Sequence, residues 1–257
     1  KGGMMSQDLF VEVGHGPTLS DNNILLSDAS LRFATQGVAM VHNLICGALT
    51  CVGGGTSWRY TPYHIPHRTE VMGFMTILHG DDRFCNNIFV QKWPKEDIIT
   101  PHDSDDGFDT ENRLAGTWEF DEYPTYEEWI AQFELDKPAN MGKVEPYHFG
   151  HLPVWSEGNV YLGGARAWKK EAHCLKLSEE EPVRVELKEE DGKIKDFKGR
   201  MIHTGILGKA FEPEQPFENP DGTSITFDTD YFGSHRGMDV VPGPFAGEKD
   251  ACKALVR

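Results

Sequence analysis

The chain has 257 residues, with 25 Lys plus Arg against 41 Asp plus Glu and a formal net charge of -16 at pH 7. That length supports one large domain, or a core with an appendage. The charge excludes nucleic acid and anionic membrane surfaces as natural partners, whereas a neutral polymer such as a glycan meets no electrostatic penalty.

Cys46, Cys51, Cys85, Cys174 and Cys252 show neither CxxC pairing nor regular spacing, so no disulfide framework and no zinc or other metal site is indicated. Reduced thiols point to the cytoplasm. No stretch approaches about 18 uninterrupted apolar residues, and the N-terminus carries no secretory pattern. Lys1-Gly2-Gly3-Met4-Met5 runs straight into an expected strand at Asp8 to Val13, which reads as a start inside a domain.

The first elements repeat. Asp21-Asn22-Asn23-Ile24-Leu25-Leu26, Val41-His42-Asn43-Leu44-Ile45-Cys46 and Asn86-Asn87-Ile88-Phe89-Val90 each place a turn-forming Asn before a short apolar strand. Asn23 and Asn43 are 20 residues apart and Asn43 and Asn87 are 44 apart, as if one further turn of the repeat carried an insertion. A period near 20 with Asn at a fixed phase predicts a parallel β-helix, in which stacked coils bring equivalent turns about 4.8 Å apart and let side-chain amides bond up the stack. A β-sandwich with evenly spaced turns is the alternative.

On this reading residues 1–93 form the coils, with strands at Leu9 to Val13, Val38 to Val41 and Val71 to Leu78. Between Gly47 and Arg68 the pattern yields to a long loop, beginning with Gly53-Gly54-Gly55 and rich in aromatics. Residues 94–143 form an insertion. Its acidic run, including Asp103, Asp105, Asp106, Asp109 and Glu111, lacks the spacing of a Ca²⁺ loop and is expected in solvent. An amphipathic helix follows from Thr125 to about Leu135, because Thr125 and Glu128 make a capping box and Tyr126, Trp129, Ile130 and Phe133 share one face. Residues 144–257 are expected to be an antiparallel β extension packed on the solenoid, with hairpins at Val183 to Phe197 around Asp191-Gly192 and near Asn219-Pro220-Asp221-Gly222.

Several residues suit carbohydrate chemistry. Glu12 lies in an otherwise apolar strand, where a carboxyl tends to stay protonated, as a general acid must. An outward-facing strand Glu is the plain alternative. His15, between Gly14 and Gly16, leaves room for a ligand to approach, or is only a turn residue. Trp58, Tyr60, Tyr63, His67 and Glu70 on the aromatic loop, with Asp82 beyond it, suit a sugar site, since rings stack on pyranose faces and carboxylates bond paired hydroxyls. Equally, Arg68 and Arg83 pair with Glu70 and Asp82 in a structural network. No cofactor fingerprint, P-loop, GxSxG or HExxH occurs.

Taken in order, Asp8-Leu9-Phe10-Val11-Glu12-Val13-Gly14-His15-Gly16-Pro17, Asp21-Asn22-Asn23-Ile24, Val41-His42-Asn43-Leu44, Thr61-Pro62-Tyr63-His64, His67, Thr69-Glu70, Gly80-Asp81-Asp82-Arg83 and Asn86-Asn87-Ile88-Phe89 resemble the β-xylosidases of glycoside hydrolase family 120. Glu218-Asn219-Pro220-Asp221-Gly222 and Asp230-Tyr231-Phe232-Gly233 extend the likeness over most of the chain. The resemblance implies a right-handed parallel β-helix and retaining, exo-acting release of xylose from xylo-oligosaccharides, without a cofactor. It gives Glu12 the acid/base role, and His15, Tyr60, His67, Glu70 and Asp82 a place in sugar binding. The family's nucleophile, an Asp in a motif resembling WLDW about one coil earlier, is not matched here, so the chain is expected to be the C-terminal part of an enzyme. Homo-oligomerisation is left open. The rival readings are a Ca²⁺-dependent β-helix polysaccharide lyase, whose foothold is Asp81-Asp82-Arg83, and a non-catalytic carbohydrate-binding solenoid.

Overall fold

The computed structural model describes residues 7–52, 57–100, 111–138, 140–144, 150–177 and 193–246. The chain is mainly β. Its short strands are β1 (Gln7–Glu12), β2 (Thr18–Asp21), β3 (Ile24–Leu25), β4 (Ala29–Ala34), β5 (Val38–Val41), β6 (Leu44–Ile45) and β7 (Ala48–Cys51), then β8 (Ser57–His64), β9 (Val71–Ile77), β10 (Asp82–Cys85), β11 (Ile88–Val90), β12 (Val154–Glu157), β13 (Asn159–Leu162) and β14 (Cys174–Leu177).

All but β8 and β9 belong to three sheets, ordered β1-β4-β7, β12-β10-β5-β2 and β14-β13-β11-β6-β3, and every pairing within them is parallel. Apart from the β8–β9 excursion, the chain visits the three sheets in turn from β1 to β11 and returns one strand further along, so like residues stack, Val11 on Phe33 on Cys51 and Leu25 on Ile45, whereas β12, β13 and β14 add only to the second and third sheets. These rows point inward with Met40, Phe84, Phe89 and Tyr161 to make the main core.

Strand alternation sends the next residues outward. On the second sheet these are Leu19, Ala39, Val41 and Cys85, covered by Ile202, Leu207, Phe217 and Phe227. On the third sheet Leu44, Ile88 and Val160 are covered in part by Ile194 and Phe197. The C-terminal extension therefore packs along the side of the coils. The first sheet differs, since its outward row of Phe10, Glu12, Arg32, Ala34 and Thr50 carries charge and hydroxyl groups.

The turn between the second and third sheets explains the Asn repeat. Asn22, His42, Asn86 and Gly158 all take positive φ, and the residue after each is an Asn. Asn23 donates its backbone N–H to Asn43 Oδ1 at 2.9 Å, and Asn43 and Asn87 do the same to Asn87 and Asn159 at 2.9 and 2.8 Å. Asn159 ends the ladder by donating its side-chain amide to Glu171 at 2.9 Å. The amides of Asn43, Asn87 and Asn159 are fully buried and are paired along the ladder, which removes the cost of burying them.

Three expectations change. Residues 57–77 leave the coils as an antiparallel hairpin, β8 with β9, instead of a loop followed by a coil strand. Its period-2 alternation of Tyr60, Pro62 and His64 against Thr61 and Tyr63 is the cause. Strands of the parallel sheets continue to Leu177, beyond position 93. The extension holds isolated antiparallel bridges, such as His203 with Thr226, and the short helices Lys193–Asp196 and Thr204–Leu207 instead of strands. Most of the hairpin expected at Val183 to Phe197, as well as Gly53-Gly54-Gly55, Asp103 to Asp109 and Cys252, lies outside the described residues. The helix α1 (Tyr126–Ala131) carries the expected Thr125–Glu128 capping box. No helix among the described residues is long and apolar enough to cross a membrane.

Candidate active site

Glu12 ends β1 on the outward face of the first sheet, opposite Ala34 of β4. It is exposed, so the apolar enclosure expected of it is not provided by these residues. Arg32 stands opposite Phe10, two positions along the same face. The chain then turns through Gly14-His15-Gly16 toward the second sheet.

His15 is buried beneath the hairpin and is not open to a ligand from outside. Its Nε2 lies 2.8 Å from Thr61 Oγ1, and the Tyr63 ring meets it edge-on at 5.6 Å. Burial pulls the imidazole below its ordinary pKa, with the Thr61 backbone contact opposing. A neutral ring is therefore held against the hairpin base. Tyr63 reaches this position by lying across Gly73 on β9, where a Cβ would come within 2.5 Å of the phenol oxygen. Only glycine leaves that room.

The tip of the hairpin gathers a second set. His67 Nε2 is 2.6 Å from Glu218 Oε1, and Arg68 lies 3.9 Å from Glu70, with both of those side chains largely in solvent. His67, Arg68, Thr69, Glu70 and Gln215 line an open groove of about 580 Å³. Tyr60, next to Thr61 and on the other face of the strand, is 65% exposed. The side chain of Trp58 lies outside the described residues.

Asp82 is buried in the second sheet, where one carboxyl oxygen accepts the Val38 N–H at 2.9 Å. Burial pushes its pKa well up. Arg83 pairs with Asp81 instead of Asp82, stacks on Trp155 and Phe217, and donates to the carbonyls of Leu207 and Lys209 at 3.0 and 2.8 Å. The Asp-Asp-Arg run thus pins the extension to the coils, and a sugar has no route to Asp82.

Two residues of the extension were given no site role by the sequence. Glu218 orients His67, and Glu212 accepts a bond from Gln36 Nε2 at 2.9 Å. Nothing in local spacing marks them, because each meets its partner across more than 150 residues of chain. Glu212 is also unusual electrostatically, since burial and then the charge of Asp81 push its carboxyl up to about 7.

No family model and no curated protein matches the chain. Among solved structures, that of XylC in complex with xylose is similar, with a TM-score of 0.76 and 31% identity over 95% of this chain. The match takes in 36% of the XylC chain, so the present chain spans little more than a third of that protein's length.

Proposed function

We propose that this chain is the acid/base half of a retaining, exo-acting glycoside hydrolase that releases xylose from xylo-oligosaccharides, and that its three-sheet winding is one stretch of a right-handed parallel β-helix. Two lines support the reading: the ordered motifs resembling family 120 β-xylosidases, and likeness to a protein whose structure holds xylose.

The observation that carries it is the position of Glu12. Retaining hydrolysis needs two carboxyl groups about 5 to 5.5 Å apart. Neighbouring strands of a sheet lie about 4.8 Å apart, so a carboxylate in register on a strand beside β1 would meet that spacing. β1 is the outermost strand of its sheet among the described residues, and its inner neighbour offers Ala34 at this position. The nucleophile of this reading stands in register with Glu12 on a strand beside β1 other than β4.

In this reading the nucleophile attacks the anomeric carbon while Glu12 protonates the departing oxygen. Glu12 then takes a proton from the water that releases xylose from the covalent intermediate. His15 fixes the hairpin over the turn after Glu12. Tyr60, His67 and Glu70 contribute sugar contacts, with Glu218 orienting His67, while Asp82 acts from the core by setting the register of β5. The lyase reading loses its foothold, since Asp81-Asp82-Arg83 is committed to structure. The binding-only reading is separated by activity: the full-length protein should hydrolyse aryl β-xylosides with retention, whereas a binding module leaves them intact.

A further inference from the structure

Glu212 lies beside the turn that follows Glu12, and the segment leading into it is fixed. The Phe211 N–H donates to Asp81 Oδ2 at 2.7 Å, and Arg83, bonded to the same Asp81, holds the carbonyls of Leu207 and Lys209. Gln36 receives the carboxyl. It is fully buried, and its amide has one workable orientation, because Oε1 accepts the Leu78 N–H at 2.8 Å and so turns the NH₂ toward Glu212. The Gln36 backbone N–H in turn donates to the Gly14 carbonyl at 3.2 Å, and the Thr35 hydroxyl reaches the same carbonyl at 2.8 Å. Gly14 sits between Glu12 and His15. A continuous chain of bonds therefore runs from the C-terminal extension to the catalytic turn.

We infer that Glu212 is a positioning residue for the reaction proposed above, holding the Gly14-His15 turn, and with it the Glu12 carboxyl, through Gln36. The inference rests on that functional reading. An amide bonded to a carboxylate is held more strongly than one bonded to a neutral acid, so the grip follows the charge on Glu212. With the carboxyl pushed up to about 7, that charge changes near neutrality. Of the charged groups around it, Asp81 faces it and repels it, and Arg83 offsets Asp81.

The test compares the full-length wild type with Glu212→Gln, which keeps an acceptor but cannot ionise. The ratio of wild-type to variant kcat on xylobiose should be near one in acid and rise to roughly fivefold in base, with its midpoint near 7. KM should be unchanged. An aryl xyloside with a good leaving group should show a smaller rise, because its first step needs little help from Glu12. Gln36→Asn, whose shorter amide cannot span the gap, should lower kcat and abolish the pH-dependent component. A flat ratio on xylobiose in an active wild type overturns this inference alone. A wild type inactive on both substrates overturns the functional reading, and this inference with it.

Discussion

Asn87 accepts on one side-chain oxygen both the backbone N–H of Asn43, at 2.9 Å, and its amide NH₂, at 3.0 Å. The same pairing links Asn23 to Asn43 and Asn87 to Asn159, so one residue type at one position ties together four equivalent turns between the second and third sheets.

Asn87→Ala should therefore be costly. It strands the backbone N–H and one amide hydrogen of Asn43 and takes the side-chain donor from the Met40 carbonyl, at about 1 to 3 kcal/mol for each group left unmet, while the backbone N–H of residue 87 still serves Asn159. Chemical denaturation should show a loss of roughly 3 kcal/mol or more. Asn23→Ala, at the exposed end of the ladder, should lose much less.

Glu119 gives a pH-dependent stability. Burial pushes its carboxyl up to about 8 against an opposing pull from Arg166. The folded state thus holds this proton more tightly than the unfolded state, and the stability it contributes is full below the ordinary value of 4.5 and is lost as pH rises through about 8. Glu119→Gln, which keeps an acceptor for Asn112, should match the wild type in acid. Its melting temperature should exceed the wild type's by a margin that widens with pH and levels off above about 8. A constant gap at every pH would show that Glu119 ionises normally.

The repeat was legible where its spacing was kept. Asn23 and Asn43 lie one uninterrupted coil apart, and Asn87 only one insertion further. Asn159 was hidden behind the excursion after β11, and its turn begins with Gly158 instead of a polar residue. The first strand of the hairpin was read as loop, because the glycines before it and the prolines within it masked the alternation that pairs it with the expected strand at Val71. Asp82 looked like a ligand because a carboxylate beside an Arg has the same signature whether it faces a sugar or caps a buried N–H. Glu212 carried no signal and Glu218 stood only within a family-like motif without a role, since only the packing of the extension brings them to Gln36 and His67.

Arg83→Met should loosen the extension. It leaves the Asp81 carboxylate buried without its guanidinium and frees the Leu207 and Lys209 carbonyls, at about 3 to 5 kcal/mol for breaking a buried pair. Limited proteolysis should then cut between residues 207 and 217 faster than in the wild type. An unchanged cleavage rate would mean that the apolar contacts of Phe217 and Leu207 hold the segment unaided.

Thr61→Val tests the link between hairpin and turn. The hydroxyl beside His15 Nε2 disappears while the shape of the side chain is kept, leaving a buried ring nitrogen with a weaker partner. Stability should fall by about 1 to 2 kcal/mol, and hydrolysis of xylobiose should slow with little change in KM. Full activity would place His15 outside the working site.

The most direct measurement is azide rescue of Glu12→Ala in the full-length protein. Loss of the acid/base carboxyl should slow xylobiose cleavage by a factor on the order of 10² or more, with a smaller loss in the first step for aryl xylosides that have good leaving groups. Added azide should restore turnover by replacing the water that Glu12 activates, and the product should be β-xylosyl azide, with the anomeric configuration retained. A Glu12→Ala variant that keeps full activity on xylobiose, or that yields an inverted azide, would contradict the assignment of Glu12 to a two-carboxylate retaining site.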